Sequence, residues 1–371
     1  MRLRRLSNRP NRPAPQPNGS SGSRWFLNAR RLLLRAFFIV EYQVIDRRIS
    51  VAPMMDWTDR HCRVFHRMLS ERALLYTEMV TAAAVVHGDR EKLLGFSDVE
   101  QPVAVQLGGS DPALLAEAVQ ACEDFGYREI NLNVGCPSDR VQSGAFGACL
   151  MRDPDLVARC VEKMKNASQN AEITVKCRIG VDDQNPEFAL RDFIRTVSGV
   201  GVRSFTIHAR KAWLDGLSPK ENRTVPPLNY PLSLAIKEEN KGLEVVLNGG
   251  IETIDQARAH LDSGFDGVMI GRAAYHDPGN VTAEMDGLFG EAPKRDLRKI
   301  IAQMADYADE QAVRGVPFKS ISRHMLGLFT GMKGAKAWRR HISENAHLPG
   351  ATPQVLLDAM ALVDLPELVS A

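Results

Sequence analysis

The sequence lacks any long uninterrupted hydrophobic run, and this argues against a membrane-spanning protein. The longest apolar stretch near the start, residues 32–40, has nine residues and contains Arg35. A transmembrane helix needs about 20 apolar residues. No GxxxxGK[ST] sequence occurs either, which excludes a P-loop enzyme. We therefore expect a soluble protein with no membrane partner.

Cysteine is scarce, and its spacing excludes the usual metal frameworks. The six cysteines form no CxxC pair and no Cys/His cluster at zinc-ligand spacing. They are Cys62, Cys122, Cys136, Cys149, Cys160 and Cys177. Most lie in apolar segments, as reduced thiols of cytosolic proteins do. We expect a cytoplasmic protein without a metal site.

Acidic residues are almost absent from the first 48 residues, which contain 11 arginines and two acids. The remaining 323 residues carry 36 basic and 43 acidic side chains, so bulk charge gives no indication of a nucleic-acid partner. We interpret residues 1–47, which are also rich in Pro, Ser and Asn, as a disordered basic extension that catalysis does not need. A transit peptide would be similarly rich in arginine, but the early prolines argue against its amphipathic helix.

Eight short runs of β-forming residues recur from residue 49 onward, with helix-like segments between them. The runs are 49–54, 73–79, 102–107, 129–133, 173–178, 204–208, 244–247 and 267–270. Strict alternation of helices with apolar, non-alternating strands is typical of an α/β protein with a parallel sheet. Eight units favour a (β/α)8 TIM barrel over residues 48–290. An open doubly wound sheet would need a glycine-rich turn after the first strand, where Pro53-Met54-Met55 stands instead.

Polar residues end the predicted strands, where barrel enzymes keep their active sites. They are Glu78, Gln106, Asn131, Asn133, Lys176, Arg178, His208 and Arg210. Asn248-Gly249-Gly250 follows the seventh strand and Gly271-Arg272 the eighth. Loops at these two positions commonly bind phosphate, because glycine lets backbone N–H groups approach it. The alternative is that these glycines are ordinary turn formers.

The chain after residue 290 changes to helices without strands, which predicts a small C-terminal helical domain over 291–371. The predicted helices span 297–313, 318–329, 335–342 and 353–363. Residues 311–343 contain no acid but seven basic residues, namely Arg314, Lys319, Arg323, Lys333, Lys336, Arg339 and Arg340. This imbalance favours a polyanionic partner, although a basic surface without a partner stays open.

Cys136 lies on a Gly-Cys-Pro turn after the fourth predicted strand, which would place its thiol at the barrel mouth. It could be buried filler, a nucleophile or a proton donor. A nucleophile would need an adjacent base, and the nearby sequence has only Asp139 and Arg140. An ordinary thiol, with a pKa of about 8.5, is mostly protonated at neutral pH and can act as a general acid.

Several of these segments together resemble the tRNA-dihydrouridine synthases. The matching segments are 52–60, 76–79, 105–109, 131–137, 175–180, 207–210, 248–250 and 271–272. The stretches 138–151 and 208–223 resemble the A subfamily, the tRNA-dihydrouridine(20/20a) synthases. The resemblance spans residues 48–345 in order, and the N-terminal extension lies outside it.

The resemblance implies a flavoenzyme that uses NADPH to reduce a D-loop uridine of tRNA, at positions 20 and 20a. We expect a monomer, because one barrel and one helical lobe can together span a tRNA elbow. Hydride would pass from FMN to uracil C6, and Cys136 would donate the proton to C5. The implied FMN-binding residues are Pro53, Met54, Met55, Gln106, Lys176, His208, Asn248, Gly249, Gly250, Gly271 and Arg272. The residues expected to contact tRNA are Asn133, Arg178, Arg210, Lys211, Lys220, Arg223, Arg323, Arg339 and Arg340.

Two other functions stay open. A flavin barrel that reduces a small molecule, in the manner of a dihydroorotate or enoate reductase, would share the phosphate turns but would not explain the acid-free segment 311–343. A non-catalytic RNA-binding barrel would explain that segment but would leave Cys136, Lys176 and His208 without a role.

Overall fold

A computed structural model describes residues 45–138, 146–290 and 295–365. The predicted extension falls mainly on residues 1–44, which lie outside the described residues, as do Asp139 and Arg140. In the described part of the chain, no helix is long and apolar enough to cross a membrane. The same residues contain no cluster of three or more His, Cys, Asp or Glu side chains arranged to hold a metal ion.

Eight parallel strands close into a barrel, as the sequence predicts. They are β1 (Ile49–Val51), β2 (Leu74–Thr81), β3 (Val103–Gly108), β4 (Glu129–Val134), β5 (Glu172–Arg178), β6 (Ser204–His208), β7 (Glu244–Asn248) and β8 (Gly267–Ile270). Each strand pairs in parallel with the next along the chain, and β8 pairs with β1 through Val268 and Ile49. The (β/α)8 TIM barrel is therefore confirmed.

Helices cover the outside of this barrel and continue beyond it. In the described residues they are α1 (Arg60–Leu69), α2 (Ala82–His87), α3 (Arg90–Leu94), α4 (Pro112–Asp124), α5 (Pro154–Ala167), α6 (Pro186–Gly199), α7 (Tyr230–Glu239), α8 (Ile254–Asp262), α9 (Arg272–His276), α10 (Leu297–Ala312), α11 (Phe318–Ser322), α12 (Ala335–Asn345) and α13 (Gln354–Met360). Side-chain caps followed by proline begin several of them. Asp111 accepts from the backbone N–H of Ala113 ahead of α4, and Asp153 accepts from that of Leu156 ahead of α5.

The barrel strands alternate in a way that the sequence analysis did not predict. In β4, the apolar Ile130 and Leu132 belong to the core between sheet and helices. Glu129, Asn131 and Asn133 alternate with them along the strand and are also buried. Successive side chains of a strand point to opposite faces, so the polar set lines the barrel interior. The expectation of non-alternating strands is wrong for β4, because its inward-facing side chains are polar. The inward-facing residues of other strands, such as Leu74 and Val246, form an apolar cluster.

The helices after the barrel share a core with α1. Val64, Phe65 and Leu69 of α1 belong to the same buried cluster as Trp338 of α12. Trp338 Nε1 also donates to the backbone oxygen of Met325 at 3.0 Å. This common core, at the ends of the barrel helices, fixes the C-terminal helices against α1.

The helix predicted over 318–329 is shorter in the structure. It ends at Ser322 and continues as a 3-10 turn over Arg323–Met325. A Cβ at Gly327 would lie 2.2 Å from the backbone oxygen of His276, so the two backbones approach closely there. This close approach favours a tighter turn over a continued helix.

Arg47 belongs to the barrel and not to the extension in which the sequence analysis placed it. The compact unit begins at Ile45, and Arg47 is only 4% exposed. Its guanidinium donates to Glu129 (2.8 Å), Glu172 (2.5 Å) and Glu244 (2.8 Å), which begin β4, β5 and β7. Although burial disfavours its charge, these carboxylates raise its pKa. Arg47 therefore closes the N-terminal end of the barrel, and the predicted boundary at residue 47 lies too late.

Candidate active site at the barrel mouth

The turn that carries Cys136 is held by two neighbouring strand ends. Asn133 Oδ1 accepts from the backbone N–H groups of Gly135 (3.1 Å) and Cys136 (3.0 Å). Arg178 Nε, from the end of β5, donates to the Gly135 oxygen at 3.0 Å. The half-buried thiol lies 3.5 Å from the Ser138 hydroxyl, and no described histidine or carboxylate hydrogen-bonds to it. Side chains from β4 and β5 therefore fix the backbone of the Cys136 turn.

A directed chain of hydrogen bonds runs from this turn down the barrel interior. Asn133 Nδ2 donates to Gln106 Oε1 (2.8 Å), whose Nε2 donates to Asn131 Oδ1 (2.8 Å). Asn131 Nδ2 donates to Thr174 Oγ1 (2.9 Å), and that hydroxyl donates to Glu129 Oε1 (2.9 Å). Every donor points toward the Glu129 carboxylate, so the chain fixes the orientation of each amide.

Lys176 stands at the mouth with a lowered pKa. Its Nζ donates to Asn248 Oδ1 at 2.9 Å, and Asn248 Nδ2 donates to the Met269 oxygen at 2.7 Å. Burial, followed by the nearby Arg178 charge, lowers the pKa of Lys176 to about 7. An anion bound beside it would favour the charged form and raise that pKa again.

His208 faces a tight glycine turn. Burial, with the charges of Arg178 and Lys176, holds the pKa of His208 well below its usual range, so the ring is neutral near pH 7. Gly249 has a φ of 105°, and a Cβ there would lie 2.3 Å from His208 Cδ2. The Tyr230 hydroxyl donates to the Gly249 oxygen at 2.7 Å. Only glycine fits at this position, because the turn packs directly against the His208 ring.

Four arginines around the mouth lack carboxylate partners among the described residues. They are Arg178, Arg210, Arg223 and Arg272. Burial and the Arg223 charge lower the pKa of Arg178 to about 9, and burial with the Arg272 charge lowers those of Arg210 and Arg223. The Arg210 Nε is buried with no partner among the described atoms. Crowded cations with an unsatisfied buried donor are suited to a bound phosphate.

The loop after β1 lies next to the turn after β8. A Cβ at Gly271 would be 3.8 Å from Met54 Sδ, whereas Met55 is exposed. The Asp56 N–H donates to Glu78 Oε1 at 2.5 Å, and burial raises the pKa of Glu78. Strand ends β1, β2 and β8 thus form the side of the mouth opposite β5.

The residues predicted to contact tRNA divide into buried and exposed sets. Asn133 and Arg178 are buried and bonded to backbone, so they position the Cys136 turn. Lys220, Arg223, Arg339 and Arg340 are exposed, and Lys211 and Arg210 are partly buried. Arg340 pairs with Glu344 at 2.8 Å within α12.

Arg323 is not a free surface cation. Its Nη2 pairs with Asp59 Oδ2 at 2.6 Å, and His324 Nε2 lies 3.0 Å from Asp59 Oδ1. Asp59 also caps α1 by accepting from the Cys62 N–H. The Arg323 pair therefore joins the C-terminal helices to the barrel.

Sequence reasoning missed the residues inside and below the mouth. Glu129, Thr174 and Arg47 belong to no recognisable sequence motif. The alternation of polar and apolar residues in β4 could have indicated that Glu129 faces the barrel interior. Asn222, which is fully buried in the loop after β6, gave no signal because its partners are backbone groups of its own loop.

The fold and the site define a barrel enzyme whose strand ends bring the Cys136 turn, Lys176 and four arginines to one end of the barrel. The chain belongs to the dihydrouridine synthase family, because that family's model, described as Dihydrouridine synthase (Dus), matches residues 50–363. The resemblance inferred from the motifs is thereby confirmed.

Curated relatives agree with this assignment, and a solved structure shares the fold. A protein of Xanthomonas axonopodis pv. citri (strain 306) named tRNA-dihydrouridine(20/20a) synthase is 53% identical over 317 residues, which cover 85% of this chain and 94% of the relative. The protein of that name from Escherichia coli (strain K12) is 53% identical over 318 residues, covering 85% and 91%. A solved 2-naphthoyl-CoA reductase in complex with 2-naphthoyl-CoA shares the fold alone, with a TM-score of 0.50 and 8% identity over 66% of this chain and 50% of that one.

Proposed function

We propose that this protein reduces a D-loop uridine of tRNA to 5,6-dihydrouridine, with FMN as bound cofactor and NADPH as reductant. Membership of the dihydrouridine synthase family carries this proposal. Positions 20 and 20a are favoured as targets, because relatives with 52–53% identity are named tRNA-dihydrouridine(20/20a) synthase. The unpaired cations around the mouth agree with a polyanionic substrate.

Two features of the mouth support FMN as the cofactor. The unpartnered Arg210 Nε and the Gly249 turn would meet its phosphate, and Arg272 would add a charge-assisted pair. Arg210, which we expected to contact tRNA, is thus added to the residues that would hold the cofactor, namely Pro53, Met54, Met55, Gln106, Lys176, His208, Asn248, Gly249, Gly250, Gly271 and Arg272. When bound, FMN would supply the hydride that adds to C6 of the uracil ring.

Cys136 would supply the proton that C5 then needs. Asn133 and Arg178 hold its turn, so the thiol meets the base without rearrangement of the backbone. The Arg178 guanidinium donates to the Gly135 oxygen next to Cys136, so a cation is fixed beside this turn. It would stabilise the thiolate that remains after proton transfer.

The exposed basic residues would bind tRNA as it delivers a flipped-out uridine. Lys211, Lys220 and Arg223 belong to the loop after β6, next to the mouth. Arg339 lies in the helical region 291–371, which we propose supplies tRNA affinity and not chemistry. The residues that precede Arg47 would have no catalytic role. The protein would act as a monomer.

Anaerobic flavin spectroscopy tests the proposal. The purified protein should be yellow, NADPH should bleach the flavin absorbance, and unmodified tRNA should restore it. A tRNA with cytidine at positions 20 and 20a should restore it far more slowly. Colourless protein that takes up no added FMN would overturn the cofactor assignment. Re-oxidation by a small enone but not by tRNA would favour the small-molecule reductase.

A matched pair of variants tests the phosphate site. Arg272→Ala should weaken FMN affinity by about 10- to 150-fold, which corresponds to the roughly 1.5–3 kcal/mol of a hydrogen bond to a charged group. Arg195→Ala changes an exposed arginine on α6 that pairs only with Asp192, and it should leave FMN affinity unchanged. Equal flavin affinity in both variants would place the phosphate elsewhere.

A further inference from the structure

The loop after β6 presents an exposed aromatic side chain beside the mouth. Trp213 is 41% exposed, although it is among the largest apolar side chains of the protein. The Lys211 ammonium lies 5.0 Å from the centroid of its ring, within cation–π range. Thus a positive charge and an open ring surface occur together.

Buried hydrogen bonds hold this tryptophan in place. Asn222 is fully buried; its Oδ1 accepts from the Trp213 N–H at 2.7 Å, and its Nδ2 donates to the Trp213 oxygen at 2.8 Å. The N–H of the next residue, Leu214, donates to Asp182 Oδ1 at 2.6 Å. The backbone of Trp213 is clamped on both sides, so its exposure is built into the loop.

One buried guanidinium connects this loop to the reaction site. Arg178, which is 2% exposed, donates to the Gly135 oxygen beside Cys136. Its Nη1 also donates to the oxygens of Lys211 (3.0 Å) and Asn222 (2.9 Å). The Cys136 turn and the Trp213 loop are therefore positioned by the same group.

The charge around Trp213 favours a nucleic acid as the occupant. Lys211, Lys220 and Arg223 of this loop form no ion pair with a described carboxylate. Of the loop's two acids, Glu221 is engaged by the N–H and hydroxyl of Ser218. Unpaired cations interleaved with one flat ring match the alternation of phosphates and bases in single-stranded RNA.

We propose that Trp213 is the stacking platform for the nucleobase that adjoins the reacting uridine in tRNA, with Lys211 and Arg223 on the flanking phosphates. This rests on the proposed tRNA substrate. When the uridine leaves the stack to reach Cys136, its neighbour loses a stacking partner. Trp213, tied to the Cys136 turn through Arg178, replaces that partner.

A cycle that combines protein and RNA changes tests the platform. The probes are an unmodified tRNA transcript and transcripts with an abasic site on either side of the target uridine. Trp213→Leu should weaken binding of the intact transcript by about 5- to 150-fold, the range for one base–aromatic stack. Trp213→Phe keeps a ring and should retain most of the affinity. Val225→Ala changes another exposed apolar residue of the same loop and should have no effect.

The stacking platform predicts that the losses of affinity caused by the protein change and by the RNA change do not add. For wild type, one of the abasic transcripts should bind more weakly than the intact transcript. For Trp213→Leu, the same abasic transcript should bind no worse than the intact transcript. Fully additive losses, or equal affinity of Trp213→Leu and wild type, would overturn the platform. A similar loss for Trp213→Phe and Trp213→Leu would indicate simple packing, or a protein partner, and would overturn it too. Failure of the proposed function would give a different result from failure of the platform. Wild type would then not transfer hydride to tRNA, even if the variants and transcripts bind with the expected affinities.

Discussion

At the scale of single residues, the turn that carries the Cys136 thiol is held by hydrogen bonds to the Asn133 and Arg178 side chains. We predict that Cys136→Ala leaves flavin reduction by NADPH unchanged. Re-oxidation by tRNA should slow by about 10²–10⁴-fold, the usual loss for a general acid. Cys136→Ser should rescue poorly, because a hydroxyl is a far weaker acid than a thiol. Rapid mixing that follows the flavin absorbance measures both half-reactions.

A second cysteine provides the matched control for this measurement. Cys122 is fully buried near the end of α4, in the core outside the barrel strands. Cys122→Ala should re-oxidise at the wild-type rate. If Cys136→Ala also re-oxidises at that rate, Cys136 is structural and water or another group delivers the proton.

Lys176 predicts a pH dependence of stability in the FMN-free protein. Its folded pKa of about 7 lies below the ordinary value of 10.5, because burial disfavours the charge. Above 10.5 the amine is neutral in both states, and no penalty arises. As the pH falls from 10.5 to about 7, the unfolded state binds the proton first, so the folded state loses stability. Lys176→Met should therefore gain stability over wild type across this window and keep a constant gain below it.

Chemical unfolding of both proteins from pH 6 to 10 would measure this difference. Lys237→Met is the control, because that lysine is paired with Asp266 at 2.6 Å on the outer surface. A difference between wild type and Lys176→Met that does not vary with pH would show that Lys176 is charged throughout.

At the scale of elements, the interior chain of hydrogen bonds ends on a buried carboxylate in β4. Glu129 is fully buried and accepts from Arg47 (2.8 Å), Tyr76 (2.5 Å) and Thr174 (2.9 Å). Glu129→Gln removes the charge and adds a donor where three donors already point. We expect a loss of about 3–5 kcal/mol in the free energy of unfolding, as for other broken buried pairs.

Tyr76→Phe is the graded comparison for Glu129→Gln. It removes one hydroxyl from the same carboxylate and should cost about 1–3 kcal/mol, because an acceptor loses one of three donors. Urea unfolding measures both variants. Glu129→Gln with a smaller loss than Tyr76→Phe would contradict the assignment of Glu129 as the end point of the chain.

The C-terminal helices carry two kinds of arginine, and they should behave differently. Arg339 is exposed on α12 without a described carboxylate partner, so Arg339→Ala should raise KM for tRNA, reduce its salt dependence and leave stability unchanged. Arg323 pairs with the Asp59 cap of α1, so Arg323→Ala should lower the melting temperature. The salt dependence of tRNA binding and thermal unfolding measure the two effects. A melting temperature lowered only by Arg339→Ala would reverse these roles.

Local sequence patterns predict the strands and helices of this chain better than they predict which side chains contact each other in the fold. The eight strands could be placed because each apolar run is bounded by turn or cap residues, such as Asp111 and Pro112 before α4. Cys136 and the turn at Gly249 could be found because they stand at strand ends. Arg47 could not, because its partners begin three different strands and only closure of the barrel brings them together. The pairing of Arg323 with Asp59 was hidden for the same reason, since 264 residues separate them.

At the scale of the whole molecule, the barrel has two polar ends joined through its interior. The mouth carries the Cys136 turn, and the opposite end is closed by Arg47. Between them, Glu129 accepts hydrogen bonds from Arg47 and from Thr174, the last donor of the chain that starts at Asn133. The order of the reaction site therefore depends on residues at the far end of the barrel as well as on its own loops.

Residues 1–44 and Arg47, which closes the N-terminal end of the barrel, should contribute differently to the protein. A protein that lacks residues 1–44 should turn over saturating tRNA at the full rate, because those residues show no core pattern. Arg47→Met should instead be destabilised by about 3–5 kcal/mol, since Glu129, Glu172 and Glu244 then face one another without a cation.

The pH dependence of Arg47→Met identifies the cause of that loss. Like charges in a shared buried site raise carboxyl pKa values, so this variant should regain stability as the pH falls from 7 toward 5 and should lose it again as the pH rises. Unfolding at several pH values measures this. Arg48→Met is the control, because the Arg48 side chain donates to the Leu288 oxygen and stacks on Phe289, without a described carboxylate partner. If the loss in Arg47→Met does not vary with pH, the three carboxylates do not repel one another. If removal of residues 1–44 is as damaging as Arg47→Met, the extension contributes to the folded barrel, and Arg47 alone does not close it.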